Sequence, residues 1–134
     1  MTRINLVEPK ELSTKHLVAE YREITRLPSN LKLALNRKTK PFSMSEIPSQ
    51  YVLGKGHVKF FFDKMLFLKL RFESLVDEML SRGYNPTYRD SSIFDTSPEF
   101  MNDYTPTQQA LDINRQRIKE RSNGHTRSDN NSNE

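Results

Sequence analysis

The second residue, Thr2, offers a nucleophile that does not depend on side-chain chemistry. Initiator methionine is normally removed when a small residue follows it, so we expect the mature chain to begin at Thr2 with a free α-amine. Such amines have pKa values well below that of lysine, and neighbouring cations lower those values further. The neutral amine can attack an aldehyde-like carbon and form a Schiff base. Many proteins begin with Met-Thr, so this feature alone is weak evidence.

A carboxylate, Glu23, lies among basic residues on one predicted helix. At about 100° per residue, Lys15, Arg22 and Arg26 fall within about 40° of one another. His16 and Glu23 are seven residues apart and share an adjacent strip. A carboxylate placed there could abstract a sugar proton or carry one to a leaving group, close to phosphates bound by the arginines. An ordinary surface ion-pair network explains the same pattern and remains the alternative.

The sequence contains few residues that could carry out thiol chemistry or bind a metal ion. Cysteine is absent, which excludes disulfides, thiolate catalysis and cysteine-bound metal centres. The three histidines, His16, His57 and His125, belong to no His, Asp and Glu cluster with metal-ligand spacing. We therefore expect a protein that works without a metal or another cofactor.

Positive charge is concentrated in the first third of the chain. The 134 residues carry a net charge of +4, yet residues 1–40 contain nine Lys and Arg against four Asp and Glu. A basic surface of this kind is typical of proteins that bind nucleic acids, although a solvated basic helix gives the same count. No apolar run reaches the roughly 18 residues of a membrane span, and MTRINLVEPKEL lacks the apolar core of a secretory signal. We expect a cytoplasmic protein.

Three helical segments are predicted to position these residues, which indicates an all-α, compact single domain with long connecting loops. The first runs from about Pro9 to about Asn36, with a kink or restart at Pro28. The second lies between Gly56 and Gly83, and the third begins at Thr105, as its N-cap, with Pro106 in the first helical position. The apolar stripes are Leu17, Tyr21, Ile24, Pro28, Leu31 and Leu35 in the first helix and Phe61, Met65, Leu68, Phe72, Leu75 and Met79 in the second.

The connections complete the prediction. Residues 37–50 are expected to form a loop, and residues 84–104 an extended connector. The run LGKGH (53–57) lacks P-loop spacing and is expected to be a turn that leads into the second helix. The domain is predicted to span residues 1–121, and the polar tail 122–134 is expected to be disordered.

Several blocks of the sequence resemble one family, the pyrimidine dimer DNA glycosylases of the phage endonuclease V type. The blocks keep their order and nearly their register from residue 1 to about residue 121. They are MTRINL (1–6), HLVAEYREITR (16–26), LGKGHVKFFFDKMLFLKLR (53–71), SRGYN (81–85) and the PEF and DY pairs within 98–104.

The resemblance implies a role for each candidate residue. The Thr2 amine would attack C1′ of the damaged nucleotide, and Glu23 would assist sugar opening and the β-elimination that cuts the strand. The remaining matches would bind DNA or shape the pocket, and they are Arg3, Lys15, His16, Tyr21, Arg22, Arg26, Arg117 and Arg121. Lys15 departs from the glutamine that relatives often carry, and the tail has no aromatic residue, whereas the best-known relative ends in an aromatic, basic segment.

The resemblance therefore implies a monomeric glycosylase with abasic-site lyase activity on ultraviolet-induced cyclobutane pyrimidine dimers in double-stranded DNA, without a metal or a membrane. Two alternatives remain. One is an abasic-site lyase or a glycosylase for another damaged base. The other is a non-catalytic helical protein that binds DNA through the basic face of the first helix.

Overall fold

The structure, a computed structural model, describes the backbone of residues 3–124 and the side chains of residues 3–121. The all-α prediction is confirmed, since these residues contain no β-strand and pair in strand fashion only at an isolated bridge between Lys64 and Met101. The α-helices of the described chain are α1 (Thr14–Ile24), α2 (Arg26–Leu35), α3 (His57–Phe60), α4 (Met65–Ser81) and α5 (Gln108–Gly124).

The first predicted helix is divided in two, and the break precedes Pro28. Thr25 separates α1 from α2 with helical dihedral angles, φ −70° and ψ −12°, so the chain bends without reversing. A proline ring clashes with the carbonyl group four residues earlier, which here belongs to Ile24, the last residue of α1. The restart predicted at Pro28 is therefore displaced to Arg26, two residues ahead of the proline.

The same helix begins later than predicted. Pro9 lies in a short 3-10 turn, Pro9–Glu11, and α1 starts at Thr14. The Ser13 hydroxyl accepts a hydrogen bond from the His16 backbone N–H at 3.2 Å, which is the geometry of an N-cap.

The second predicted helix is interrupted after its first turn. Phe60, Phe61 and Phe62 are 1%, 0% and 4% exposed, so all three rings are buried. Consecutive residues of an α-helix point about 100° apart, so one straight helix could not turn three in succession toward the same core. The chain therefore leaves helical geometry after α3 and resumes it at Met65.

The predicted end of this helix is confirmed. Gly83 follows the C-cap of α4 with a φ of 89°, which is a left-handed conformation that glycine adopts without steric cost. The Tyr84 N–H donates to the Met79 carbonyl at 2.9 Å, and the Gly83 N–H donates to Leu80 at 3.0 Å. This pair of bonds is the Schellman motif.

The third predicted helix is present, but its cap is two residues later than expected. The Thr107 hydroxyl accepts a hydrogen bond from the Ala110 N–H at 3.0 Å, so Thr107 and not Thr105 is the N-cap. Tyr104 precedes the helix, and its ring packs edge-on against Phe60 and Phe67 at 5.2 and 5.4 Å. The helix is described as far as Gly124, so residues 122–124 of the tail predicted to be disordered are helical, and residues 125–134 lie outside the described residues.

The predicted loops contain short 3-10 turns. Met44–Glu46 lies in the first connection, and Ser91–Phe94 and Pro98–Phe100 lie in the second. The second connection also contributes to the core, because Phe94 is buried and its ring contacts Phe72 of α4 at 5.6 Å. Within the described part of the chain, no helix has the length and apolar character needed to cross a membrane.

The core lies where α1 packs on α4, with the N-terminal segment threaded beside them. Ile4, Leu6 and Val7 are all buried, although residues 4–7 belong to neither a helix nor a strand. Buried backbone groups need partners, and this segment has no helical or strand ladder to supply them. Its partners are side chains, and those side chains define the candidate site.

Candidate active site

Arg3, the first residue that the structure describes, contacts Glu23, the predicted catalytic carboxylate. The Arg3 backbone N–H donates to Glu23 Oε1 at 3.0 Å. Glu23 is half-buried on the last turn of α1, and Arg3 is also half-buried. This bond fixes the backbone immediately after Thr2 against the Glu23 side chain. Thr2 itself lies outside the described residues.

Two further side chains hold Ile4. The His57 Nε2 atom accepts the Ile4 N–H at 2.8 Å, and the Tyr51 hydroxyl donates to the Ile4 carbonyl at 3.1 Å. His57 Nδ1 lies 2.7 Å from the Val52 carbonyl oxygen, so the neutral ring donates there and keeps Nε2 as an acceptor. Burial is the main cause that lowers the pKa of His57, and Arg3 adds to it.

The next residues are held by an asparagine of α5. The Asn114 Oδ1 atom accepts the backbone N–H groups of Leu6 and Val7 at 2.6 and 3.2 Å. Its Nδ2 group donates to Asn5 Oδ1 at 2.8 Å, and the Asn5 amide in turn donates to Glu20 Oε1 at 2.9 Å. These polar groups are all buried, and the two bonds to Asn114 Oδ1 satisfy backbone N–H groups that have no helical or strand partner.

A buried ion pair completes this arrangement. Arg71 of α4 donates to the Glu20 carboxylate of α1 from Nε at 2.5 Å and from Nη2 at 3.0 Å. Its Nη1 group donates to the Val7 carbonyl at 2.7 Å. The guanidinium therefore joins α1, α4 and the N-terminal segment, and both charges are satisfied in the interior.

Positive charge converges on Arg3. Burial, together with repulsion from Arg121 and Arg117 of α5, lowers the pKa of Arg3 to about 10. Arg117 Nε is buried and has no hydrogen-bond partner among the described residues. The predicted α5 arginines thus lie near the predicted N-terminal site, where they create a positive local field.

A small cavity of about 70 Å³ lies where these elements meet. Four predicted site residues line it together, namely Arg3, His16, Glu23 and Arg121. Asn5, Ala19, Glu20 and Ile118 supply the rest of its lining. A larger cavity of about 530 Å³ lies between α2 and the 88–96 connection, and its lining includes none of the predicted site residues.

Three predicted DNA-binding residues are exposed near this site. Lys15 and Arg22 are on α1, and Arg26 is the first residue of α2, across the bend at Thr25. The prediction assumed one continuous helix through residue 26. Because Thr25 retains helical dihedral angles, the chain passes from Arg22 to Arg26 without a reversal.

Tyr21 faces the protein interior instead of the small cavity. Its hydroxyl donates to the Tyr88 carbonyl at 2.8 Å and accepts the Tyr88 N–H at 3.0 Å. Its ring stacks on Phe72 at 5.9 Å. These contacts join α1 to the second connection, and a DNA contact for Tyr21 stays a prediction.

Sequence reasoning missed the side chains that hold the N-terminal segment. They share burial and polarity, and they are Asn5, Glu20, His57, Arg71 and Asn114. For two of them a signal was present, because Glu20 and Arg71 are opposite charges that interrupt apolar stripes. Among the described residues, no group of three His, Cys, Asp or Glu is arranged to hold a metal ion.

A family match covers most of the chain. The family model for pyrimidine dimer DNA glycosylase matches residues 1–92, which include the N-terminal segment, both helices before residue 36 and α4. The match assigns no residue roles, and it ends before α5, so the catalytic and DNA-binding roles of the site residues all stay predictions. Because the match covers 92 of the 134 residues, this chain belongs to the pyrimidine dimer DNA glycosylase family, whose members are DNA repair glycosylases.

Proposed function

We propose that this protein is a DNA glycosylase with abasic-site lyase activity that acts on ultraviolet-induced cyclobutane pyrimidine dimers in duplex DNA. The nucleophile is the α-amine of Thr2, and Glu23 is the residue that moves protons. The observation that carries this proposal is the 3.0 Å bond from the Arg3 N–H to the Glu23 carboxylate. This bond supports the proposal because it holds the backbone of the residue that follows Thr2 against the proposed proton acceptor.

The chemistry proceeds through an imine. The neutral amine attacks C1′ of the damaged nucleotide and the bond from C1′ to the base breaks. The base takes up a proton and stays joined to the neighbouring pyrimidine through the cyclobutane ring. The amine then gives up a proton to the ring oxygen O4′ and the C1′–O4′ bond breaks, which leaves C1′ joined to the amine as a protonated imine. Glu23 then accepts a proton from C2′, and β-elimination breaks the C3′–O bond to the 3′ phosphate. Water hydrolyses the imine and releases the enzyme.

The local charges favour this nucleophile. Ammonium groups are disfavoured near other cations, and Arg3, Arg117 and Arg121 lie together beside the N-terminal segment. The same cations attract the DNA backbone toward the amine. Glu23 opposes the first effect, yet its carboxylate is needed to accept the C2′ proton. A neutral amine beside a proton acceptor is the combination that imine chemistry requires.

The exposed basic residues of α1 and α2 support duplex binding. Lys15, Arg22 and Arg26 present cations on the surface next to the small cavity lined by His16 and Glu23. Contacts of this kind neutralise phosphates and release counterions, so binding should weaken steeply as salt rises. A lesion weakens stacking, which lowers the cost of bending the duplex at that site.

Borohydride trapping tests the proposal directly. The protein is mixed with a duplex that carries one cyclobutane dimer, borohydride is added, and peptide mapping locates the cross-link. We expect a covalent complex at Thr2. A matched protein with one extra residue ahead of Thr2 should bind the duplex but form no cross-link, because its former α-amine is an amide.

The alternatives give different outcomes in the same assay. Oxidised and abasic duplexes run in parallel identify a lyase or glycosylase for another lesion, since trapping would then fail on the dimer and occur on those substrates. Binding without trapping on any substrate would indicate a non-catalytic DNA-binding protein. Full incision by the protein with the extra residue would contradict the role of Thr2.

A further inference from the structure

All three hydrogen bonds of the Asn114 side chain are made to the N-terminal segment. The side chain is 0% exposed on α5, so it has no access to water. Its Oδ1 accepts from two consecutive backbone N–H groups, Leu6 and Val7, and its Nδ2 donates to the Asn5 side chain. A side chain that forms hydrogen bonds to three successive residues determines which residue of the segment lies at each position.

The same face of α5 reaches the active site. Arg117, Ile118 and Arg121 follow Asn114 by three, four and seven residues, which places all four on one side of the helix. Ile118 and Arg121 line the small cavity, and the charges of Arg117 and Arg121 act on Arg3. The hydrogen bonds of Asn114 thus join the N-terminal segment to this face of α5.

The register of the segment decides where the amine lies. An extended chain advances about 3.3 Å per residue, so a slip of one position exceeds the length of the 3.0 Å bond between Arg3 and Glu23. Such a slip would also separate the buried Asn5 side chain from its hydrogen-bond partners Asn114 and Glu20. The N–H groups of Leu6 and Val7 sit in an interior where an unmade hydrogen bond is costly, so the segment would shift or fray to find partners.

We propose that Asn114 is a positioning residue, which sets the register of residues 3–7 and thereby holds the α-amine of Thr2 beside Glu23. This inference rests on the proposed function, since it assigns a task only if that amine is the nucleophile. Asn114 is buried and contacts backbone groups and Asn5, so its side chain cannot contact DNA directly. Its loss should therefore slow the first chemical step and leave lesion affinity unchanged.

The test compares Asn114→Leu with two control variants. Leucine fills a similar volume but makes none of the three hydrogen bonds. Asn102→Leu removes another bridging asparagine, whose Nδ2 donates to the Asp63 and Glu99 carbonyls far along the chain from the N-terminus. Val76→Ala lowers stability by opening a space beside α4, and it removes no hydrogen bond to the segment because valine has no polar side-chain atom. All proteins are assayed at a temperature where circular dichroism shows them folded.

Three quantities are measured for each protein. Single-turnover borohydride trapping on an abasic duplex gives the rate of imine formation at saturating enzyme. Fluorescence anisotropy on a duplex with a tetrahydrofuran abasic analogue, which cannot form an imine, gives the Kd. Amide hydrogen exchange reports on the Leu6 and Val7 N–H groups.

We expect Asn114→Leu to slow imine formation by at least tenfold, with a Kd within twofold of the parental value and faster exchange at both amides. The two controls should trap at nearly the parental rate. Parental trapping by Asn114→Leu, or an equal slowing in Val76→Ala, would overturn the positioning role and leave the proposed function intact. If the parental protein itself forms no cross-link, both the proposed function and this inference fall.

Discussion

Arg71 and Glu20 form a bidentate ion pair in the interior, with N–O distances of 2.5 and 3.0 Å and side chains that are 6% and 1% exposed. The pair joins α4 to α1 directly beneath the N-terminal segment. Glu20 also accepts from Asn5, and Arg71 also donates to Val7, so each charge has a second polar partner. The site therefore depends on an interaction that a hydrophobic core alone would not provide.

Arg71→Met should strongly destabilise the fold. Removing one member of a buried pair leaves the other charge uncompensated, which costs about 3–5 kcal/mol. The free energy of unfolding from urea titration measures this loss. Glu20→Leu combined with Arg71→Met removes both charges and should recover part of it. A double variant less stable than Arg71→Met would argue against an uncompensated Glu20 charge as the cause.

An exposed pair gives the matched control for that measurement. Lys10 and Glu8 approach to 3.3 Å, but their side chains are 74% and 69% exposed. Solvent and salt screen such a pair, so Lys10→Met should leave the unfolding free energy nearly unchanged. A comparable loss from Lys10→Met would mean that burial is not what makes the Arg71 contact important.

Glu23→Gln should lose most turnover while it retains DNA binding. The glutamine side chain can still accept the Arg3 N–H, so the segment stays in place, but it cannot take up the C2′ proton. Loss of a positioned general base reduces the rate by a factor on the order of 10²–10⁴. Incision of a dimer-containing duplex measures turnover, and Glu99→Gln, in the second connection, serves as the control.

The contrast between Glu23 and Asn114 shows which parts of the site the sequence could predict. Glu23, His16 and Arg22 share one helix, so local periodicity alone relates them. Asn114 meets Leu6 across 108 positions and His57 meets Ile4 across 53, and no local pattern encodes such contacts. They arise only after α1, α4 and α5 have packed.

Local rules also explain the smaller errors in the fold. Pro28 disrupts the turn ahead of it, so the break falls at Thr25 and not at the proline. Thr105 and Thr107 both suit an N-cap by residue type, so residue type alone could not identify Thr107 as the cap that the structure has. Among the buried polar residues, Glu20 and Arg71 could have been recognised from the sequence, because a charged residue within an apolar stripe indicates a buried partner.

Stability should fall as the pH drops below about 6.5, the ordinary pKa of histidine. Burial lowers the pKa of His57 in the folded state, so the unfolded chain takes up a proton that the folded protein resists. The contribution of His57 is thus present in full above the unfolded pKa and is lost as the pH falls toward the folded one. Protonation would also remove the acceptor for the Ile4 N–H.

His57→Gln isolates this contribution, because glutamine offers one donor and one acceptor but does not titrate in this range. Unfolding free energies measured between pH 7.5 and 5 should decline more steeply for the parental protein than for the variant. His16 and His125 are present in both proteins, so their effects cancel in the difference. Parallel curves over that range would show that His57 does not resist protonation in the fold.

Arg26→Ala should weaken lesion binding yet preserve part of the chemistry, because Arg26 is exposed at the start of α2 and the bond between Arg3 and Glu23 does not involve it. Loss of one phosphate contact should reduce the slope of log Kd against log salt by about 1. Lys69→Ala is the matched control, since Lys69 is already paired with Asp95 at 2.7 Å. Anisotropy titrations between 50 and 200 mM salt, chosen to span the steep part of the curve, measure both slopes. An unchanged slope for Arg26→Ala would place the phosphate contact on another residue, whereas equal reductions in both variants would indicate an effect of net charge alone.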